Sequence, residues 1–355
     1  MDFLSEFGLF LAQAVTIVAA IGIIIVLIAA VSSRQRGEGG GRVEVQRLND
    51  RYRELQETIR EATMDPASRK DVLKAERKAE KKSDKEKTKA AKKKLKEGSE
   101  ADDDQPRLFV LDFDGDIRAS AVGNLREEIS ALLAEKNESD EVLLRLESGG
   151  GMVHSYGLAS SQLKRLSDAD VSLTVAVDKV AASGGYMMAC VADRIVAAPF
   201  AVIGSIGVVA QLPNFHKLLK KNDIDFEMFT AGEHKRTLTL FGENTDEGRD
   251  KFKEDLEDTH VLFKEFVKTN RDSVDIEAVA TGEVWFGQRA LERSLIDEIS
   301  TSDEYIQSRL ASHAIFTLKY VPRKNWQQRL GMAAEGALER SFLKLWQAAV
   351  QRPQQ

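Results

Sequence analysis

The strongest hydrophobic pattern in the chain is an apolar stretch near its N-terminus. No charged residue occurs in residues 7–33, and residues 17–31 are almost continuously aliphatic. A helix of roughly 20 apolar residues can cross a bilayer, so this stretch predicts a transmembrane helix. Acidic residues precede it and basic residues follow it, unlike the arrangement in a cleaved signal peptide. We therefore interpret residues 1–33 as a retained anchor that contacts the lipid bilayer through residues 7–33.

A charged segment, residues 34–105, follows the apolar stretch. Its first half has apolar residues at every third or fourth position, which predicts an amphipathic helix: Leu48, Tyr52, Leu55, Ile59 and Ala62. Lysine dominates residues 69–97, which predicts a solvated, partly helical stalk, with binding to anionic lipid headgroups as the alternative. Nucleic-acid binding is not predicted, because no aromatic residues lie between these charges.

From residue 107 onwards, short apolar strands alternate with amphipathic helices. We predict strands at residues 108–111, 141–146 and 171–177, and helices at residues 125–133 and 153–166. This alternation predicts an α/β fold with a mainly parallel sheet and crossover helices. Glycine-rich turns follow two of the strands, at Gly149 and at Ser183, and we expect them side by side at the carboxyl edge of the sheet. Near the C-terminus, residues 326–349 carry an apolar stripe that needs a partner surface. We expect another subunit or the chain's own core, with the membrane interface as the alternative.

The amino-acid composition limits the kinds of active site that the chain can form. The 355 residues carry a formal charge of −6, and Cys190 is the single cysteine, which excludes an internal disulfide. Cys190 lies in an apolar stretch, so we predict a core residue and not a nucleophile. The five histidines are scattered and lack zinc-site spacing, and the acids of residues 112–116 fit a polar turn better than a calcium loop. No metal or cofactor is predicted.

Ser183 stands between a buried strand and an apolar helix, in a turn of small residues. A helix start supplies unpaired backbone N–H groups, which a nucleophile and an oxyanion site need. The alternative is that Ser183 only caps the helix. A nucleophilic serine also needs a base, and no histidine sits in a recognisable turn with a following acid. A lysine serves instead if burial lowers its pKa from about 10.4.

Four motifs resemble those of the signal peptide peptidase A family of membrane-anchored Ser–Lys peptidases. The serine loop is VAASGGYMMACVADRIVAAPFAVIGSIGVV, and ESGGGMVHS resembles the oxyanion strand. TAGEHKR resembles the lysine segment, and VWFGQRALERSLIDEI the closing motif. The resemblance covers residues 107–308 and is closest to the SohB-type members. It implies a ClpP/crotonase-type fold with repeated β-β-α units, joined to an N-terminal transmembrane helix and a charged helical stalk.

Position by position, the resemblance implies a catalytic dyad and its supports. Ser183 matches the nucleophile and Lys235 the general base, while the amides of Gly184 and Gly150 match the oxyanion hole. Ser205 matches the residue that orients the lysine amine. The lysine of such families often comes from a neighbouring subunit, so a homo-oligomer acting on peptide or protein substrates is implied.

Two departures from the family pattern concern glycine and proline positions. Gly149 stands where the family usually has proline, which loosens the oxyanion strand, and Ser294 replaces a common glycine in a turn.

The predicted organisation is an anchor (1–33), a stalk (34–105), a peptidase domain (106–310) and an amphipathic helical tail (311–355). The implied function is cleavage of peptides, such as membrane-derived or signal peptides, through an acyl-enzyme.

Other functions and the orientation in the membrane stay open at this point. A non-catalytic peptide-binding scaffold of the same fold is the main alternative, and an acyl-CoA enzyme of the crotonase type is another. The resemblance implies a single-pass protein of the bacterial inner membrane. Basic residues after the span place the catalytic domain in the cytoplasm, whereas the family usually has it in the periplasm.

Overall fold

Strands and helices alternate through the residues that the computed structural model describes, 41–64 and 105–323. The strands are β1 (Arg42–Arg47), β2 (Arg107–Gly115), β3 (Glu141–Ser148), β4 (Ser172–Val177), β5 (Val180–Ala182), β6 (Arg194–Ala197), β7 (Val202–Gly204), β8 (Val284–Phe286), β9 (Glu298–Ile299) and β10 (Ala314–Val321). The helices are α1 (Leu48–Thr63), α2 (Val122–Ala134), α3 (Val153–Ser167), α4 (Gly184–Ala189), α5 (His216–Lys221), α6 (Asp246–Asn270), α7 (Ile276–Val279), α8 (Gly287–Leu291) and α9 (Ser302–Arg309).

The sheet confirms the predicted α/β class. Its main path runs β1-β10-β2-β3-β4-β6-β9, and β5, β7 and β8 branch from the end of β3. The pairings of β2 with β3, β3 with β4, and β4 with β6 are parallel, as are those of β5 with β3 and β7. β7 and β8 pair antiparallel. The parallel strands end at one edge, which places their following turns next to each other.

Alternating side chains of the central strands feed two apolar cores. In β2, Leu111 and Phe113 face the larger core, which also contains buried side chains of α2, α3 and α4. Leu108 and Val110 of the same strand face a smaller core with residues of α1 and α9. This period of two is what a strand covered on both faces requires.

Two elements of this sheet lie outside the range 106–310 predicted for the peptidase domain. β1 comes from the segment predicted as a stalk, and β10 from the segment predicted as a tail. The amide of Asn49 in α1 donates to the carbonyl of His313 at 3.0 Å, and its oxygen accepts from the Ile315 N–H at 2.7 Å. The helix predicted around Leu48 and Tyr52 is confirmed as α1. It packs on the sheet through Leu48, whose side chain is buried in the smaller core.

Several predicted segments lie outside the described residues: the apolar stretch 7–33, the lysine-rich stretch 69–97 and the C-terminal stripe 326–349. Within residues 41–64 and 105–323, no helix combines the length and apolarity that a membrane crossing requires.

Candidate active site

Ser183 lies in the turn between β5 and α4, with a strained backbone. Its φ is 53° and its ψ is −119°, a conformation that L-residues rarely adopt and that concentrates at functional sites. The Ser183 N–H donates to the carbonyl of Gly204 at 2.8 Å. The Ser183 side chain makes no capping hydrogen bond with the helix. The geometry therefore argues against the capping interpretation and leaves the hydroxyl available for chemistry.

The glycine turn after β3 touches the Ser183 turn. Ser148 pairs with Ala181 in the parallel register of β3 and β5, so both turns leave the sheet at the same level. A Cβ at Gly150 would lie 2.6 Å from the Gly184 nitrogen and 2.8 Å from the Ser183 Cβ. Gly150 has a φ of 86°, which favours glycine. The predicted side-by-side arrangement of the two glycine turns is thus confirmed.

Gly184 begins α4 in a position that excludes any side chain. A Cβ there would lie 2.4 Å from Cγ of Tyr156. The backbone of Gly184 is therefore close to both Tyr156 and Gly150. The N–H of Gly184 belongs to the first turn of α4, where backbone donors have no partner within the helix.

Ser205 occupies the position after β7 that corresponds to Ser183 after β5. Ala182 pairs with Gly204 in the parallel register of these strands, so the two serines are the next residues of neighbouring strands. Both have a φ of 53°. The Ser205 N–H donates to the carbonyl of Glu283 at 2.6 Å, which fixes this second turn against the segment before β8.

Lys235 lies in the connection between β7 and α6, residues 205–245, and its side chain is exposed. Its backbone N–H donates to the carbonyl of Gly232 at 3.2 Å. Within the described part of a single chain, no hydrogen bond joins Lys235 to Ser183 or Ser205. The same connection carries exposed apolar side chains, including Val209 and Phe229, which are 81% and 89% exposed.

The other candidate nucleophiles, bases and metal ligands lie elsewhere. Cys190 is fully buried, and burial raises the pKa of its thiol to about 12, which confirms its predicted packing role. Among the described residues, no histidine is hydrogen-bonded to Ser183, and no cluster of histidine, cysteine or acidic side chains could hold a metal ion. The acidic turn after β2 is held by Asp116, whose carboxylate accepts from the Ser120 N–H at 2.8 Å.

Two polar residues near the turns were not singled out from the sequence. Ser148 and Tyr156 are 2% and 0% exposed, and their oxygens lie 2.5 Å apart. Ser148 Oγ also accepts from the Gly150 N–H at 3.1 Å. The sequence signal that could have identified Ser148 is its position: it follows Leu144 and Leu146 at a spacing of two, so its hydroxyl lies on the buried face of β3.

Comparisons with known proteins agree on one family. Residues 165–315 match peptidase family S49, and residues 2–163 match the N-terminal region of that family. The chain is 52% identical over 336 residues to the probable protease SohB of Haemophilus influenzae, covering 94% of both chains. It is also 52% identical to the probable protease SohB of Buchnera aphidicola subsp. Schlechtendalia chinensis, over 87% of this chain and 100% of that one.

Solved structures show a weaker likeness. The 1510-N membrane-bound stomatin-specific protease, in complex with a substrate peptide, has a TM-score of 0.40 and 11% identity, over 64% of this chain and 96% of that one. The sequence matches, by contrast, extend over both glycine turns. The chain belongs to peptidase family S49, and it is a serine peptidase of the SppA/SohB type.

Proposed function

We propose that this serine peptidase cleaves peptide bonds with Ser183 as nucleophile and Lys235 as general base. The observation that supports this most strongly is the contact between the two glycine turns around Ser183. Its strained backbone and its uncapped hydroxyl meet the start of α4 and the Gly150 turn at one place. A nucleophile beside preorganised backbone donors is the arrangement that acyl transfer needs.

In this mechanism, the hydroxyl of Ser183 transfers its proton to the neutral amine of Lys235 as Ser183 Oγ attacks the peptide carbonyl. The N–H groups of Gly184 and Gly150 donate to the oxyanion of the tetrahedral intermediate. Lys235 then protonates the leaving amine, which leaves an ester on Ser183. Lys235 next takes a proton from water, which attacks the ester, and returns that proton to Ser183 Oγ as the ester bond breaks and the acyl product leaves. Ser205 accepts a hydrogen bond from the lysine amine and orients it.

The exposed position of Lys235 is the reason that we propose a homo-oligomer. Its side chain is exposed and makes no hydrogen bond with Ser183 within the described part of one chain, and we place the dyad between subunits of a homo-oligomer. The apolar side chains at Val209 and Phe229 would be covered in such an assembly. A neighbouring subunit would also remove Lys235 from water, as a general base of this kind requires.

The proposed setting is a membrane. Residues 7–33 would anchor the chain as a single span, and membrane-derived peptides, including cleaved signal peptides, are the proposed substrates. A reporter fused after Gln355 tests the orientation. Activity of fused alkaline phosphatase would place the catalytic domain outside the cytoplasm, and fluorescence of a fused green fluorescent protein would place it inside.

The dyad is tested with full-length protein in detergent and a quenched peptide substrate. We expect Ser183→Ala and Lys235→Ala each to reduce kcat by at least about 10³-fold. The control variant, Lys217→Ala, removes another exposed lysine of the same connection and should keep full activity. Wild-type turnover by Ser183→Ala would refute the nucleophile assignment.

Mixing two inactive variants tests the arrangement between subunits. Subunit exchange between Ser183→Ala and Lys235→Ala should restore part of the activity, because some interfaces then combine an intact Ser183 with an intact Lys235. If exchange is demonstrated but no activity returns, the dyad does not form between subunits.

A further inference from the structure

A directional chain of hydrogen bonds begins at Gly150 and ends at the carbonyl of Asp116. The Tyr156 hydroxyl donates to this carbonyl at 2.8 Å. With the Tyr156 proton on the Asp116 carbonyl, the Tyr156 oxygen accepts from the hydroxyl of Ser148, 2.5 Å away. The carbonyl of Gly115, 3.4 Å from Ser148 Oγ, is a longer alternative acceptor for the same hydroxyl. The lone pairs of Ser148 Oγ then accept from the Gly150 N–H at 3.1 Å. Each hydroxyl is both donor and acceptor, and such chains strengthen their members cooperatively.

Tyr156 also contacts the second proposed oxyanion donor. Its ring lies where a Cβ of Gly184 would be, 2.4 Å from Cγ, and Tyr156 is completely buried. The hydroxyl of Tyr156 therefore reaches the Gly150 turn through Ser148, while its ring supports the backbone of Gly184. One side chain of α3 sets the separation between the two turns.

The Gly150 turn needs such support because its own sequence supplies little. Three consecutive glycines follow Ser148, and glycine has the largest backbone freedom of any residue. A Cβ at Gly149 would have no atom within 4 Å, so no neighbour packs on the side-chain position of that residue. Among the described residues, Ser148 Oγ is the one hydrogen-bond acceptor of the Gly150 N–H.

We infer that Ser148 and Tyr156 are positioning residues of the oxyanion site, which hold the Gly150 amide in place for the transition state. This inference rests on the proposed role of Gly150 and Gly184. The bond from Gly150 to Ser148 is between neutral groups and is long at 3.1 Å. A bond from the same N–H to an oxyanion is charge-assisted and roughly twice as strong. The amide is therefore shared with, or released to, the substrate oxygen only as negative charge develops, which favours the transition state over the bound substrate.

The test compares Tyr156→Phe and Ser148→Ala with Ser160→Ala. Tyr156→Phe keeps the ring against Gly184 and removes the hydroxyl. Ser160 is a matched control, because it is 0% exposed on the same helix and its hydroxyl donates to the Tyr156 carbonyl at 2.9 Å, away from the glycine turn. We expect kcat to fall about tenfold in Tyr156→Phe and about 30-fold in Ser148→Ala, with KM within about twofold of wild type. Ser160→Ala should keep its kcat.

The rate of Ser183 modification by a fluorophosphonate supplies a second readout, because the phosphonyl oxygen occupies the oxyanion site. This rate should fall by the same factors as kcat. A folded Tyr156→Phe with kcat within about twofold of wild type, or a rise in kcat for either variant, would overturn the inference. If Ser148→Ala does not fold, Tyr156→Phe decides. Failure of the proposed function is distinguishable, because Ser183→Ala would then keep its turnover in the same assay.

Discussion

Gly150 and Gly149 are adjacent glycines for which the structure predicts opposite results on substitution by alanine. At Gly150, φ is 86°, which costs an L-residue about 1–2 kcal/mol. The new Cβ would also lie 2.6 Å from the Gly184 nitrogen, 2.8 Å from the Ala182 carbonyl oxygen and 2.8 Å from the Ser183 Cβ. None of these atoms can rotate away, so overpacking adds about 1–3 kcal/mol. The free energy of unfolding should fall by about 2–5 kcal/mol in Gly150→Ala.

At Gly149, a new Cβ meets nothing within 4 Å, and the backbone is not left-handed. Gly149→Ala should therefore change the free energy of unfolding by less than about 1 kcal/mol. Urea unfolding of both variants, followed by circular dichroism, measures this difference.

Activity provides the second half of the test. Relief of the clash should move Gly150 away from Ser183, and if Gly150 is an oxyanion donor as proposed, its loss should reduce kcat by about 10²–10³-fold. Gly149→Ala should keep kcat within about threefold of wild type. Equal stability losses in the two variants, or a Gly150→Ala enzyme with near wild-type kcat, would refute the reasoning.

Three further predictions concern stability. Arg271 is 7% exposed and is bonded to the Asp297 carboxylate at 2.7 Å and 2.9 Å. Asp297→Ala leaves this buried guanidinium without its carboxylate and should lower the free energy of unfolding by about 3–5 kcal/mol. Glu298→Ala removes the exposed partner of Arg194, and an equal or larger loss in that control would contradict this prediction. Ser294→Gly should stabilise the protein by about 1 kcal/mol because it relieves a φ of 58°, and a lower midpoint of urea unfolding would show that reasoning to be wrong. Burial raises the pKa of Glu128 above its ordinary 4.5, so its charged form costs stability above the folded-state pKa and that cost disappears as the pH falls through it. Glu128→Gln should then be more stable than wild type near pH 8 and about equal to it near pH 4, and a difference independent of pH would exclude this explanation.

Hydrophobic periodicity was sufficient for the α/β class and for the meeting of the two glycine turns. The strands around Leu143 and Val175 are apolar on both faces, and parallel pairing then brings their carboxyl ends to one edge. β10 was missed because it is separated from the motifs and follows a weakly patterned helix. Its place in the sheet depends on pairing with β2, more than 200 residues earlier.

For the candidate site too, some features could be predicted from the sequence and others could not. The turns containing Ser183, Gly150 and Ser205 are encoded locally, since small residues and glycine permit strained backbone there. The support from Tyr156 was not predictable, because its hydroxyl reaches Asp116 and Ser148 across elements that only the fold brings together. No hydrogen bond joins Lys235 to Ser183 within the described part of one chain, so that pairing stays a prediction.

Covalent labelling of Ser183 tests the central claim most directly. Full-length protein in detergent is treated with a fluorophosphonate, digested and examined by mass spectrometry. We predict a single adduct on Ser183 in the wild type and in Lys217→Ala, and a labelling rate reduced by at least about 10²-fold in Lys235→Ala. An unlabelled Ser183 in active enzyme, or an adduct on another serine that accounts for the lost activity, would contradict the account.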